Sequence, residues 1–203
     1  MKNLFTILLL IVFAFNTNAQ DSKFYIGLGG GYASASGDVA DEGYKGGLYL
    51  KLLDVGLRFN ETWGVTLGLA SSTHTDEDID DLGIGLTSFA IGPMYSVDLG
   101  NIRWDFKPQY AFTFAMYKKI QTAVGLINRD FMGSAWIIGN SFVFGDGGKG
   151  FAWSIDLDYR SGKITKTGGD EVDDAEGVFY PLQTFSKTPI NNFMIGAGLR
   201  YNF

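Results

Sequence analysis

Apolar and polar side chains alternate residue by residue through most of the chain. Between Ile102 and Met116, every even-numbered residue is apolar, aromatic or proline, and every odd-numbered residue is charged, polar or alanine. Successive side chains of a β-strand point to opposite faces, so this pattern predicts one long strand with an apolar face and a polar face. The same alternation, without a sustained helical stripe, predicts an all-β fold of eight strands at 23–33, 45–59, 63–72, 83–97, 102–116, 131–144, 151–160 and 190–203.

Two of the predicted strands break the alternation. In the second strand the apolar residues move from even-numbered to odd-numbered positions between Leu52 and Val55. In the fourth strand they make the same change between Leu86 and Phe89. A β-bulge adds one residue to a strand and so returns the following side chains to the original faces. We therefore expect one bulge in each of these strands.

Short and long connections alternate strictly along the chain. This arrangement is typical of an antiparallel up-and-down barrel with both termini and all short turns on one side. The last connection is apolar in its second half, over residues 178–185, and is expected to extend the sheet. The short connections are 60–62, 98–101 and 145–150, and the long ones are 34–44, 73–82, 117–130 and 161–189.

The size of the side chains decides which face points outward. The apolar parity carries Trp, Phe, Tyr and Leu, whereas the opposite parity is dominated by Gly, Ala, Ser and Thr. Because the interior of an eight-stranded barrel has room only for side chains, the small set belongs inside. A bulky apolar exterior favours a transmembrane barrel over the alternative, a soluble lipocalin-like barrel. Aromatic residues expected at the lipid interface, near strand ends, are Trp63, Trp104, Phe151 and Trp153.

The first 19 residues have the composition of a secretory signal peptide. Lys2 precedes an apolar segment, Leu4–Phe15, and small or polar residues lead up to Gln20. The apolar segment is too short for a transmembrane helix, which needs about 20 residues. We therefore predict a signal peptide at 1–19, cleaved after Ala19, and one barrel domain at 20–203.

The composition excludes several classes of function. The chain has no Cys, which excludes disulfide scaffolds, thiolate metal sites and cysteine nucleophiles. Its formal net charge of −6 argues against nucleic acid as a partner. Its 17 Phe, 10 Tyr and 4 Trp are too many for a disordered acidic chain.

Nine charged residues fall on the inner parity of the predicted strands. Charges inside a narrow barrel are costly unless they are paired and hydrogen-bonded, so we expect an ionic network that holds the barrel closed. Those at 103–107 are expected to face Asp156, Asp158 and Arg200 across the interior. A narrow ion-conducting path through the same residues is the alternative. The predicted members are Lys51, Arg58, Arg103, Asp105, Lys107, Asp156, Asp158, Arg160 and Arg200.

The single histidine is the natural candidate for a general base. His74 lies in the connection 73–82, between Ser72 and Asp76. Ser, His and Asp form a hydrolytic triad only when the geometry brings them together. We interpret His74 as a solvated loop residue and predict no catalytic residue.

Two acidic clusters lie in predicted loops, at 76–81 and 170–176. Ca²⁺ takes several carboxylate oxygens, but the spacing matches no EF-hand loop. We interpret both clusters as solvated and predict no metal site, while bridging by divalent cations stays open. The glycine-rich run 27–31 belongs to a strand and is not followed by a helix, so no nucleotide or other cofactor is predicted.

The last strand carries the most specific motif. Leu199, Tyr201 and Phe203 alternate with polar residues and place an aromatic residue last. With the eight-strand pattern and the turn at 60–64, this motif resembles the small outer-membrane β-barrel proteins of the OmpA/OmpX type. The resemblance implies a bacterial outer-membrane location with both termini periplasmic, and contacts with outer-membrane lipid and lipopolysaccharide. It also implies that the barrel-assembly machinery reads Leu199, Tyr201 and Phe203.

The resemblance is weak for activity, because that family includes adhesion and defence proteins, small pores, anchors and a few lipid-modifying enzymes. We expect a non-enzymatic barrel whose outer loops, 73–82 and 161–189, contact an extracellular partner or support the envelope. One alternative is a narrow pore or transporter for small solutes or hydrophobic molecules. The other is a loop-borne lipid-modifying enzyme.

Overall fold

Eight antiparallel strands close into one barrel. The computed structural model describes residues 24–36, 45–75, 83–122, 125–145, 148–165 and 188–203. Each strand pairs with its neighbours in sequence and β8 pairs with β1, so the predicted up-and-down barrel is confirmed. Its strands are β1 (Phe24–Ser36), β2 (Gly47–Arg58), β3 (Trp63–Thr75), β4 (Gly83–Asp98), β5 (Ile102–Thr122), β6 (Gly125–Phe144), β7 (Gly150–Thr165) and β8 (Thr188–Asn202). No helix within these ranges is long and apolar enough to cross a membrane.

Large apolar side chains cover the outside of the barrel. On β7, Phe151 is 74% exposed and Trp153 66%, while Ala152 between them is buried in the interior. The facing predicted from side-chain volume is therefore confirmed for this part of the wall. We call the outward apolar residues the apolar belt; they include Leu28, Tyr32, Leu50, Ile91, Phe112, Trp136, Ile155 and Ile195.

The facing reverses near the long-loop end, the end opposite the three short turns. On β4, Ile84 and Leu86 are buried inside the barrel, and the apolar belt begins only at Phe89. On β7, Ile164 is buried inside while Lys163 is exposed. Strands that rise above the lipid have water outside them, so there the apolar side chains turn inward.

Of the two predicted bulges, the structure contains only the one in β2. The bulge expected in the fourth strand is wrong, because β4 keeps one register against both β3 and β5 throughout. The bulge expected in the second strand is confirmed by a register shift between Lys51 and Leu53 of β2. After this shift Asp54, Gly56 and Arg58 face the interior.

The short turns are fixed by side chains of their own residues. The Asn60 side-chain oxygen accepts hydrogen bonds from the backbone N–H groups of Thr62 (2.9 Å) and Trp63 (2.7 Å). In the next turn the Asp98 carboxylate accepts from the N–H of Gly100 (2.8 Å), whose φ of 90° favours glycine. Such local bonds form tight hairpins at the end that we call the short-turn end.

One predicted long connection is a strand pair instead. β5 runs to Thr122 and β6 begins at Gly125, with these two residues paired across the hairpin. The prediction of a loop at 117–130 is wrong. A strand that rises above the lipid does not need an apolar outer face, so its sequence lacks the alternation that identified the other strands. Residues 1–19, both acidic clusters and the apolar run 178–185 lie outside the described residues.

The barrel closes along a glycine-rich seam between β1 and β8. Gly29 pairs with Gly198 and Gly31 with Gly196. A Cβ atom on Gly31 would lie 2.0 Å from the carbonyl oxygen of Ile195, so only glycine allows this backbone approach.

Candidate functional site in the barrel interior

Polar and charged side chains fill the interior in successive layers from the short-turn end upward. We distinguish a lower ionic cluster, a central ionic cluster, an upper polar cluster and an apolar cluster at the long-loop end. Because every layer is built from inward-facing side chains of neighbouring strands, the β-sheet register determines which groups meet.

The lower ionic cluster consists of Asp105, Arg58 and Arg200. Both terminal nitrogens of Arg200 lie 2.8 Å from Oδ2 of Asp105, and Nη2 of Arg58 lies 3.6 Å from the same oxygen. The hydroxyl of Ser96 donates to the other carboxylate oxygen at 2.7 Å. Asp105 is completely buried, so its charge depends on these three partners.

Tyr25 joins the lower cluster to the central one. Its ring lies against the guanidinium of Arg200, with Cζ 4.4 Å from the ring centroid, and its hydroxyl donates to Oδ1 of Asp54 at 3.2 Å. A cation over an aromatic face gains a further electrostatic attraction. Tyr25 was not among the residues predicted for the interior network.

The central ionic cluster consists of Lys51, Asp54, Lys107, Asp156 and Asp158. Nζ of Lys107 lies 2.7 Å from Oδ2 of Asp54. Nζ of Lys51 bridges the carboxylates of Asp156 (3.3 Å) and Asp158 (3.1 Å). Hydroxyl groups donate further hydrogen bonds to these carboxylates. Tyr49 donates to Asp158 at 2.8 Å, and Ser141 and Ser154 donate to Asp156.

The upper polar cluster consists of Arg160, Ser72, His74 and Asn192. The Nδ1–H of His74 donates to the carbonyl oxygen of Lys45 at 3.3 Å, which leaves Nε2 as an acceptor. Nε2 accepts from Nδ2 of Asn192 (3.1 Å) and from the hydroxyl of Ser72 (3.3 Å). Nη1 of Arg160 donates to Oγ of Ser72 at 3.4 Å.

His74 therefore has a different environment from the one its sequence predicts. The prediction of a solvated loop histidine is wrong: β3 extends to Thr75, and His74 is completely buried within it. It lies above the apolar belt, whose last member on β3 is Leu69. Burial lowers the pKa of His74 to about 4; the bond to Lys45 opposes this shift and nearby Arg160 adds to it.

The apolar cluster closes the interior at the long-loop end. Its members are Ile84, Leu86, Ala115, Ile164 and Ile190, all buried to within 2%. Below it, between the central ionic cluster and Arg160, lies a cavity of about 30 Å³. About 10–15 Å³ of such space holds one water molecule, so the cavity has room for one or two.

The predicted ionic residues meet in a different pairing. Asp105 contacts Arg200 as expected, but Lys107 pairs with Asp54 and not with Asp156 or Asp158. Asp54 was missed because the β2 bulge had not been applied to its position. Once the bulge is applied, Asp54 shares the inward face of Arg58, which is the signal that would have found it.

Two predicted members take no part in the ion pairs formed among the described residues. Arg103 is half-buried at the short-turn end, opposite Asp98 in register, and is absent from the contacts of Asp105. Arg160 is completely buried, yet no carboxylate of the described residues lies within 4 Å of its guanidinium.

The predicted lipid-interface aromatics lie outside, at the short-turn end. Trp63, Phe151 and Trp153 are more than half exposed, and Trp104 is half-buried, with its indole N–H donating to the side chain of Asn140 at 3.1 Å. On β8, Leu199 and Tyr201 face outward with the terminal Phe203. Recognition of these three residues by the assembly machinery stays a prediction.

Solved structures share this fold. Neisserial surface protein A is 13% identical, and 91% of this chain aligns with all of that chain at a TM-score of 0.56. Ail, the attachment invasion locus protein of Yersinia pestis, is 15% identical over 90% of this chain and all of that one, at 0.49. The N-terminal β-barrel domain of Pseudomonas aeruginosa OprF is 13% identical over 91% of this chain and all of that one, at 0.48. No curated protein sequence matches the chain.

A family model covers nearly the whole sequence. Residues 5–203 match the model described as the outer membrane protein beta-barrel domain. The apolar belt and the closed sheet are the properties that such a location requires. The chain therefore belongs to the outer membrane protein beta-barrel domain family and is an integral β-barrel protein of the bacterial outer membrane.

Proposed function

We propose that the protein is a non-conducting, non-enzymatic barrel whose function resides in its outer loops, through surface interaction or support of the envelope. The observation that carries this proposal is the filled interior. The lower ionic cluster, the central ionic cluster and the apolar cluster each cross it, and the cavity between them measures only about 30 Å³. A barrel of this kind acts as a membrane-anchored scaffold.

The two alternatives have less support. A pore needs a continuous water column, whereas the charged side chains of the lower and central clusters are paired with one another. A lipid-modifying enzyme needs its base to reach acyl chains outside the barrel. Nε2 of His74 and Oγ of Ser72 face each other inside the wall, and both residues are at least 99% buried.

Conductance separates the scaffold from the pore. The purified full chain, reconstituted in planar bilayers, is expected to give no steady openings. A variant carrying Leu86→Ala with Arg160→Ala, which thins the two upper layers, serves as the matched comparison. Steady openings of the wild-type protein would contradict the proposal.

Loop replacement tests the surface role. Residues 166–187 and 76–82 are replaced by short Gly/Ser linkers, singly and together, in cells that express the protein. The barrel is expected to remain heat-modifiable on gels, while attachment to host-cell layers or resistance to detergent stress falls. An equal replacement in the turn 145–149 is the control. If cells with both loops replaced behave as wild type, the loops do not carry the function.

The proposal places both termini and the short turns in the periplasm. Because the chain has no Cys, single cysteines report orientation without background. We expect Thr75→Cys, at the long-loop end, to react with a membrane-impermeant maleimide in intact cells. Glu61→Cys, in a short turn, is expected to react only after the outer membrane is permeabilised. The reverse labelling would overturn the orientation.

A further inference from the structure

Arg160 has no ion-pair partner within 4 Å among the described residues. The residue is completely buried, and its Nε has no hydrogen-bond partner. Its two terminal nitrogens contact the Ser72 hydroxyl at 3.4 Å and the Met194 sulfur at 3.8 Å, both weak neutral acceptors. A buried cation without a carboxylate or another anion is strongly unfavourable.

The carboxylates that line the cavity together with Arg160 are already engaged. Asp158 accepts from the hydroxyl of Tyr49 and from Nζ of Lys51, and Asp54 binds Lys107. Among the described interior residues, five cations face four carboxylates: Lys51, Arg58, Lys107, Arg160 and Arg200 against Asp54, Asp105, Asp156 and Asp158. Four of these five cations lie within 4 Å of a carboxylate, and Arg160 is the exception among the described residues.

The cavity lies beside Arg160, the one of these five cations that has no carboxylate of the described residues within 4 Å. Lys51 and Lys107 also line it, but both are paired with carboxylates, Lys51 with Asp156 and Asp158 and Lys107 with Asp54. Its volume of about 30 Å³ suits one or two particles of water size. A monoatomic anion fits this space and would give the Arg160 guanidinium the counter-ion that no described side chain supplies within 4 Å.

We propose that this cavity is a binding site for a small monovalent anion of the halide type, held by the guanidinium of Arg160. The anion occupies the Arg160 side of the cavity, away from the carboxylates of Asp54 and Asp158. It neutralises the buried cation, and so it stabilises the folded barrel increasingly as the halide concentration rises. The barrel then depends on an ion taken from the medium as well as on its own side chains.

Thermal stability gives the first test. The full chain in detergent micelles is heated in 0.3 M sodium chloride and in 0.3 M sodium gluconate, an anion too large for the cavity, and the folded fraction is read from heat-modified gel migration. We expect chloride to raise the Tm by about 3 °C. Arg160→Met is expected to remove most of that difference.

A matched control separates this site from general salt effects. Lys163→Met removes a cation from the same strand, but its side chain is exposed on the outside of the barrel. This variant is expected to keep the full chloride effect. Equal Tm values of the wild type in the two salts, or an undiminished chloride effect in Arg160→Met, would overturn the proposal.

Bromide can locate the site in the wild-type protein, so this test does not depend on whether a variant folds. Crystals of the wild-type protein grown in sodium bromide are measured at the bromine absorption edge. An anomalous peak within hydrogen-bond distance of the Arg160 guanidinium supports the proposal. A cavity that holds only water under these conditions contradicts it.

Discussion

At the short-turn end of the interior, Asp105 is bound by two arginines and a serine, whereas at the long-loop end Leu86 packs on Ile164 and Ile190. The wall around Asp105 carries the apolar belt, whose large apolar side chains face outward. The wall around Leu86 lies above the belt, where water surrounds it. The same sheet thus fills its interior with charged side chains where lipid surrounds the wall and with apolar side chains where water surrounds it.

The largest effect is expected from breaking the lower ionic cluster. Asp105→Asn leaves Arg58 and Arg200 without their shared carboxylate, which should lower the free energy of unfolding by about 3–5 kcal/mol. Urea unfolding in lipid vesicles, followed by tryptophan fluorescence, measures the change. Glu61→Gln, on an exposed turn residue, is the control and should change stability by less than about 0.5 kcal/mol. Similar values for both variants would refute a structural role for the cluster.

A somewhat smaller loss is expected at the apolar end. Leu86→Ala creates a cavity among Ile84, Ile164 and Ile190 and should cost about 3 kcal/mol in the same unfolding assay. Thr73→Ala, at an exposed position of similar height on β3, should cost little. If the leucine variant is as stable as the threonine variant, the loop-end interior is not packed as described.

The boundary between the two regions can be located with a lysine scan of the outer wall. Ile91→Lys puts a charge into the apolar belt and should cost about 2 kcal/mol, whereas Thr75→Lys, beyond the reversal of facing, should cost about 0–1 kcal/mol. Measured stabilities that do not depend on position would show that the reversal does not mark the edge of the lipid.

The smallest effect concerns acid. Because the pKa of folded His74, about 4, lies below the usual value near 6.5, the unfolded chain binds more protons between these pH values. Stability should therefore fall as the pH drops from 6.5 towards 4, with His74 contributing about 2 kcal/mol of the loss. His74→Gln keeps an acceptor near Ser72 but does not titrate, so its profile should be flatter by that amount. Parallel profiles would mean that His74 is not buried neutral.

The comparison also explains what the sequence could predict. Alternation and side-chain volume were enough for the eight strands and for the outward facing of residues such as Trp153, since lipid and a narrow interior impose them along the belt. Above the belt the same rule inverts, and this is why Leu86 was placed outside with a bulge that does not exist. The β5–β6 hairpin at 117–130 was missed for the same reason.

Prediction of the interior was limited by pairing across the barrel. Parity placed Asp105 and Arg200 on the inner face, but which cation meets which carboxylate depends on register and height, and these are properties of the closed sheet. Asp54 lay within reach of the sequence, because the β2 bulge already turns it inward. The burial of His74 could not be predicted from the sequence, because it depends on β3 continuing beyond Leu69, the last residue of the apolar belt on that strand.

The glycine seam between β1 and β8 has a consequence for how the barrel is completed. The first and last strands are the two free edges of the sheet until the molecule closes, and they must join after everything between them has been laid down. With bare backbone at Gly29, Gly31, Gly196 and Gly198, these edges can zip together without moving side chains past one another. At these four positions closure therefore forms backbone hydrogen bonds without any rearrangement of side chains.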